Sequence, residues 1–334
     1  TEQAPVTISA EEQMNIDQDK ALRSMIDDIN KSLGRGHACI ADECDLERYI
    51  LPSGCLRLDL AMECGGLPIP DGVFTEIYGP EGSGKSTLAL NSIAQLPRKY
   101  KDAVAVYIDL EHTLKSKQDL EYARRIGVDM KRLVPVQAST GEDAITAIET
   151  ALIRPNVKLA VIDSVKNMFT TSRLEREPDD KALMAPLARF CAENLPKILR
   201  LMNVDQYNRK SVILLNQAYL DLTTYGTPYK APGGNAVQHL SHVIIFVQQR
   251  KSVAETVFMD KDGNRSWNAG RPVGSLGKVG YSVDGTVMKS RVSGAGAQMS
   301  TFKFKLLKDD GIDKMYDIFS SGMVTGVFLR EGTT

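Results

Sequence analysis

The sequence predicts an α/β fold: a mostly parallel, twisted sheet flanked by helices, with a short helical segment at the N-terminus. Short, nearly continuous apolar runs recur at residues 73–78, 104–109, 158–163, 211–216 and 243–247, as expected of strands buried on both faces. Longer helical patterns alternate with them at 85–95, 142–153 and 184–203, the last expected to break or kink near Pro196. Ahead of these, Ala21, Met25, Ile29 and Leu33, flanked by Leu22 and Ile26, form one stripe of a 3.6-residue period.

In chain order, residues 1–16 are polar and acidic without a sustained period and read as a mobile tail. The helix expected over 17–33 is stopped by Gly34 and Gly36. It either packs back on its own domain or docks on a partner. Residues 37–72 hold Pro52, Gly54, Gly65, Gly66, Pro68, Pro70 and Gly72, turn-rich punctuation around a helical stretch at 56–62. Residues 17–72 thus form a helix and an approach segment, and the alternating core runs over 73–308.

The 334 residues are 43% hydrophobic and 25% charged, which excludes disordered and collagen-like classes. No run approaches the ~20 apolar residues that span a bilayer, and no basic segment leads into an apolar one, so a cytoplasmic, membrane-free protein is expected. Five cysteines, an odd number, read as reduced thiols. His37, Cys39 and Cys44 lack the paired spacing of structural zinc. The net charge of −1 argues against a protein coated for non-specific nucleic-acid binding, but residues 250–308 carry eleven Lys and Arg against four Asp and Glu. Any such surface is therefore local.

The strongest local motif is Gly79-Pro80-Glu81-Gly82-Ser83-Gly84-Lys85-Ser86, between a predicted strand and a predicted helix that opens with Thr87. This is a P-loop in its required setting. Its glycines let backbone N–H groups converge on a phosphate chain, Lys85 reaches the β and γ phosphates of ATP, and the Ser86 hydroxyl ligates Mg²⁺. Asp163, ending a buried strand, is the second metal anchor; taken alone, an Asp there is a cap or turn residue. Glu111, just beyond the strand that ends at Asp109, is placed to act as general base or to position water. Asp109 reads as structural, and His112 as a packed or surface histidine.

Together these residues resemble one family. The stretch 51–90, with LPSGCLRLDLAM and FTEIYGPEGSGKSTLAL, followed by YIDLEH and VIDSV, is closely similar to the RecA family of recombination proteins, bacterial and phage alike. The resemblance covers residues 17–330. It implies a RecA-like P-loop ATPase core, ATP and Mg²⁺ as cofactors, and helical filaments on single-stranded DNA. Homologous pairing with duplex DNA, strand exchange and DNA-stimulated ATP hydrolysis in repair follow from it, in the bacterial cytoplasm or in a phage-infected host. It makes the N-terminal helix an oligomerisation element packed on the neighbouring protomer. It also makes 309–334 the start of a C-terminal region that is truncated or missing.

The resemblance assigns further residues. Gln217 becomes the γ-phosphate sensor that opens the second DNA-binding loop, 218–232, closed by Gly233, Gly234 and Asn235. That loop carries Tyr219, Tyr225, Tyr229 and Lys230, the aromatic and cationic chemistry that splays bases and touches phosphates. Without the resemblance it reads equally as a surface loop with solvent-facing tyrosines. Arg173, Arg176, Met184 and Arg189 fall in or beside the first DNA-binding loop. Lys289 and Arg291 match a basic pair that reaches the ATP of the adjacent subunit; strand alternation would otherwise put both on one solvated face. Asp119 and Tyr122, after a four-residue insertion, become adenine contacts. The Gly-rich, basic stretch 251–284, with Trp267, has no assigned role. Two other classes share this core: a ring-forming motor, and a mediator that binds ATP and DNA without exchanging strands.

Overall fold

The computed structural model describes residues 10–33, 38–43, 48–169, 180–205, 208–220, 229–250, 256–260, 265–266, 277–293 and 295–329. The chain divides into two compact units, Thr1–Glu47 and Arg48–Thr334. The first is built on α1 (Ala10–Leu33), which begins inside the span read from sequence as a tail. Its charged face is held by Arg23, which bonds Asp19 one turn back and Glu43 of the following 3₁₀ turn. On its apolar stripe Leu22 and Met25 stay exposed, while Ile26 and Ile29 are only partly covered. Cys39 is in a disulfide, against the reduced-thiol reading: an odd count forbids full pairing but allows one bridge. Cys55, Cys64 and Cys191 are free, and His37 and Cys44 lie outside the described residues.

The second unit is one large sheet covered on both faces. Its parallel part runs in the order β10 (Ser241–Gln249), β3 (Phe74–Gly79), β7 (Ser211–Gln217), β6 (Val157–Asp163), β4 (Val104–Asp109) and β5 (Leu133–Gln137). Beyond β10 the sheet turns antiparallel through the long β13 (Gly277–Ser290) and β14 (Thr301–Leu307). Strand alternation sorts the side chains. Ile77, Tyr107, Leu159, Val161, Ile213 and Leu215 face α3 (Lys85–Lys99), joined by Leu88, Ile93 and Leu96. Phe74, Ile108, Ala160, Ile162, Val212 and Leu214 face the other way, against α5 (Gly141–Leu152) and α6 (Asp180–Met202). Two hydrophobic layers result, one on each face of the sheet.

Helix ends follow local chemistry. Ser116 with Asp119, and Thr140 with Asp143, form reciprocal capping boxes on α4 (Lys117–Ile126) and α5. The break expected near Pro196 is absent: α6 runs on through Pro186 and Pro196. Each proline costs about 3 kcal/mol in a helix interior, but the helix buries Leu187, Cys191, Leu195, Ile198 and Met202 on one face, and tertiary packing outweighs the local penalty.

The short helix α2 (Leu56–Ala61) opens at Cys55, which offers no cap. Asp317, from α8 (Lys314–Thr325), supplies it by accepting from the Leu56 and Arg57 N–H groups at 2.7 and 3.1 Å. Lys314 donates to the Gly54 carbonyl and to Asn91 of α3, so the last helix ties α2 to the helix that follows the P-loop. No helix among the described residues is long and apolar enough to cross a membrane. Asp317→Ala leaves two N–H groups without their acceptor, and is expected to lower the unfolding free energy by about 1–3 kcal/mol. A urea midpoint equal to that of the unaltered chain would show that the cap contributes nothing.

Candidate functional site

The candidate site lies where β3, β4, β6 and β7 end. In the parallel register Gly79 pairs with Gln217, and Asp163 pairs with Asp109 on one side and Leu215 on the other. Four carboxyl ends therefore open on one edge, the place where α/β sheets bind ligands.

Residues 79–86 curl there before α3. Gly82 (φ 69°) and Gly84 (φ 90°) adopt left-handed backbone that disfavours side chains. At Gly79 a Cβ would meet the Val247 carbonyl at 2.0 Å. Ser83 and Thr87 are buried, Glu81 is exposed, and the Pro80 and Gly79 carbonyls accept from Lys85 Nζ at 2.9 and 3.0 Å. Burial pulls the Lys85 ammonium below its usual range, opposed by Asp163, Glu111 and Glu81. A desolvated cation at a helix N-terminus is suited to a phosphate chain.

Ser86 donates to Asp163 Oδ2 at 2.9 Å, so two hard oxygen donors lie side by side. Burial pushes Asp163 up to about 6, with Glu111 and Asp109 adding to the rise and Tyr107 and Ser86 hydrogen bonds opposing it. Tyr107 is fully buried and donates to the same Asp163 oxygen. Asp109 is occupied otherwise: it accepts from the Thr113 and Leu114 N–H groups and from Gln137, a structural role that folds the 110–114 turn.

Glu111 is half-buried at the mouth of the site and accepts from Ser164 Oγ and from Gln217 Nε2, the latter at 2.8 Å. Gln217 Oε1 in turn accepts from Lys166 Nζ at 3.1 Å. The carboxylate, the amide and a lysine thus form one chain, in which Ser164 and Lys166 went unread in the sequence. Ser164 follows Asp163 directly, inside the VIDSV stretch, and Lys166 comes two residues later; only the fold brings them to residues some fifty positions away.

Beside the P-loop is a cleft of about 280 Å³ lined by Thr87, Tyr122, Lys278, Tyr281 and Leu306 to Lys308. Tyr122 bonds Thr87 Oγ1 at 2.8 Å, and Tyr281 reaches the Gly82 carbonyl at 2.7 Å. Two tyrosines and two lysines around a narrow slot suit a nucleobase. Of the expected adenine contacts Tyr122 lines this cleft. Asp119 does not, because its carboxylate accepts from Ser116 in the α4 cap. Tyr281 comes from the stretch left without a role.

Leaving β7, Tyr219 and Leu220 (β8) pair antiparallel with Tyr229 and Lys230 (β9), closing the base of the loop. Tyr219 is exposed, whereas the Tyr229 ring packs on Phe246 with centroids 5.4 Å apart. Asn216 spans the loop, donating to Pro232 O and to the buried Glu76. Gly233 (φ 99°) and Gly234 (φ 71°) turn the chain into α7 (Gly234–Leu240), with Asn235 exposed. Arg189 is exposed on α6, and Met184 lies in its first turns. Arg173, Arg176 and Tyr225 lie outside the described residues.

Lys289 and Arg291 lie on one face, as alternation places them, and a bulge just before them sets which face that is. A bulge in β13 pairs Ile245 with Val287 but Ile244 with Lys289. Val287 therefore faces α3, while Lys289 faces the opposite layer, donating to the Gln238 carbonyl at 2.6 Å. With Arg291 it lines a cleft of about 550 Å³ that also holds Glu76, Tyr78, Tyr229 and Lys230. Burial pushes Glu76 up to about 7, with Asn216 and Lys289 opposing the rise.

Comparison with known proteins agrees with this geometry. The RecA N-terminal domain family matches residues 20–266. Protein RecA of Zymomonas mobilis is 31% identical, across 99% of this chain and 84% of its own length. The Nitrobacter winogradskyi and Rickettsia bellii RecA proteins are each 30% identical, across 95% and 96% of this chain and 79% and 84% of their own. A P-loop, a carboxylate pair and a glutamine at the same sheet edge, within a match of this extent, place the chain in the RecA family.

Proposed function

We infer that the chain is an ATP-dependent recombinase that forms helical filaments on single-stranded DNA and promotes homologous pairing and strand exchange, with DNA-stimulated ATP hydrolysis in recombinational repair. One observation carries the mechanism: Gln217 bonds the carboxylate Glu111 at the phosphate edge and, two residues on, begins the β8–β9 ribbon under the DNA loop. A γ-phosphate that draws the Gln217 amide away from Glu111 therefore pulls on the loop. Homologous duplex DNA is the second partner we assign, and the bacterial cytoplasm the setting.

In this reading residues 79–87 cradle the ATP phosphates, Lys85 pairs with the β and γ groups, and Tyr122 bounds the base. The Ser86 and Asp163 oxygens, in a buried site where Asp163 and Glu111 face Lys85, fit a magnesium ion. Bound with ATP, that ion neutralises charge on the phosphate oxygens. Glu111, held by Ser164 and Gln217, orients the attacking water and takes its proton. Lys289 and Arg291 lie on the sheet face opposite the protomer's own P-loop helix, as suits cations delivered to a neighbour's ATP. The exposed stripe of α1 gives that neighbour an apolar surface to cover. Residues 17–72 then supply the oligomerisation helix and the approach segment, and 73–308 the ATPase core. Arg173, Arg176, Met184, Arg189, Tyr219, Tyr225, Tyr229, Lys230, Gly233, Gly234 and Asn235 make up the DNA surface.

Electron microscopy with single-stranded DNA and a non-hydrolysable ATP analogue should show helical filaments that Lys85→Ala abolishes. Rings would turn the reading toward a motor. Glu111→Gln keeps the filaments and lowers the rate of phosphate release by about 10²–10⁴-fold; normal turnover removes Glu111 from the chemistry. Lys85→Ala protomers and Lys289→Ala/Arg291→Ala protomers are each expected to be inactive alone. Mixed in equal amounts, where the intact P-loops of the second kind carry both into joint filaments, they should regain ATPase at no more than about a quarter of the head-to-tail interfaces, and no recovery would argue against a shared site.

A further inference from the structure

Tyr107 is fully buried in β4, among side chains that are almost all apolar. A phenylalanine would fill the same space, and a buried hydroxyl costs free energy unless it is bonded. The hydroxyl therefore needs an explanation, and its acceptor supplies one. Tyr107 pairs with Val161 of β6 in the parallel register, so its ring lies on the α3 face and reaches diagonally to Asp163, two residues further along. There it donates to Asp163 Oδ2, the oxygen that also accepts from Ser86 at 2.9 Å. Two hydroxyls, one from the P-loop helix and one from the next strand, converge on one carboxylate oxygen. They fix the rotation of the carboxylate about its Cβ–Cγ bond, which a single hydrogen bond would leave freer.

We propose that Tyr107 is a positioning residue for the nucleotide's magnesium ion, its hydroxyl holding the Asp163 carboxylate in the orientation that completes the metal site with Ser86. The inference rests on the Ser86–Asp163 metal reading above. Groups that orient a metal-binding carboxylate act mainly on metal affinity, and their loss costs about 10–100-fold. The hydroxyl meets Asp163 and the Ser86 side chain and does not line the base cleft, so its removal bears on the metal-holding pair and is expected to leave the affinity for metal-free nucleotide nearly unchanged.

The test follows binding of a fluorescent ATP analogue to the full chain, first in EDTA and then as magnesium is added. Tyr107→Phe is expected to bind in EDTA within twofold of the unaltered chain, and to need about 10–100-fold more magnesium for half-maximal enhancement. An unchanged magnesium midpoint overturns the proposal. So does an equal loss of affinity in EDTA, which marks Tyr107 as a packing residue. Replacing Tyr107 with 4-aminophenylalanine, which keeps a donor, should restore the midpoint, and 4-methylphenylalanine, of the same size without a donor, should not. This pair decides the matter even if the phenylalanine variant proves unstable. Ser86→Ala separates the two levels of inference: if it leaves the magnesium midpoint unchanged, the metal reading itself fails. If it shifts the midpoint while Tyr107→Phe does not, only the role of Tyr107 falls.

Discussion

Everything at the candidate site depends on the register in which β3, β7, β6 and β4 lie side by side. Gly79 against Gln217, Asp163 against Leu215, and Asp109 against Asp163 bring a phosphate loop, an amide and two acids to one edge. Each strand is buried on both faces, so the register is pinned by two hydrophobic layers at once. A slip of one residue in β6 would send Asp163 toward α5 and α6 and turn Ile162 toward the P-loop helix. Core packing and site geometry are therefore one constraint, met by the same apolar residues.

That constraint concentrates negative charge. Asp163, Asp109 and Glu111 stand at adjoining strand ends, and the charges of Asp163 and Glu111 reach the desolvated Lys85. Asp109 is occupied by donors from its own turn and from Gln137. Asp163 and Glu111 have hydroxyl and amide donors instead of a salt bridge. Carboxylates arranged in this way favour an incoming cation, while the P-loop N–H groups favour the anion that accompanies it. In our reading, the two preferences let one edge accept a metal nucleotide as a unit.

The parts legible in the sequence were those written locally. The P-loop is a backbone shape encoded by glycines at short spacing, and the central strands are continuous apolar runs, so both stand out without a partner. The elements β5 and α4 were not read, because Leu133–Gln137 contains Pro135 and is largely exposed, and half of Lys117–Ile126 is charged. The continuity of α6 through two prolines is decided by what it packs on, which a local propensity cannot express. Tyr107, Ser164, Lys166 and Tyr281 share the same difficulty at the site. Each acts through an acceptor distant in the chain, and a buried tyrosine in an apolar run looks like any other core residue until the neighbouring strand is in place.

The bulge in β13 shows how little backbone is needed to turn a cation from one sheet face to the other. Strict alternation after Val287 would carry Lys289 to the face of Val283 and Val287, beneath the protomer's own α3 layer. The extra residue at Met288 reverses the side, so Lys289 shares a face with Glu76, Tyr78 and Ile244. At the other end of the same strand no such reversal intervenes, and Tyr281 keeps the α3 face, where its hydroxyl meets Gly82 of the P-loop. One strand thus serves its own nucleotide cleft at one end and, in our reading, the neighbour's at the other.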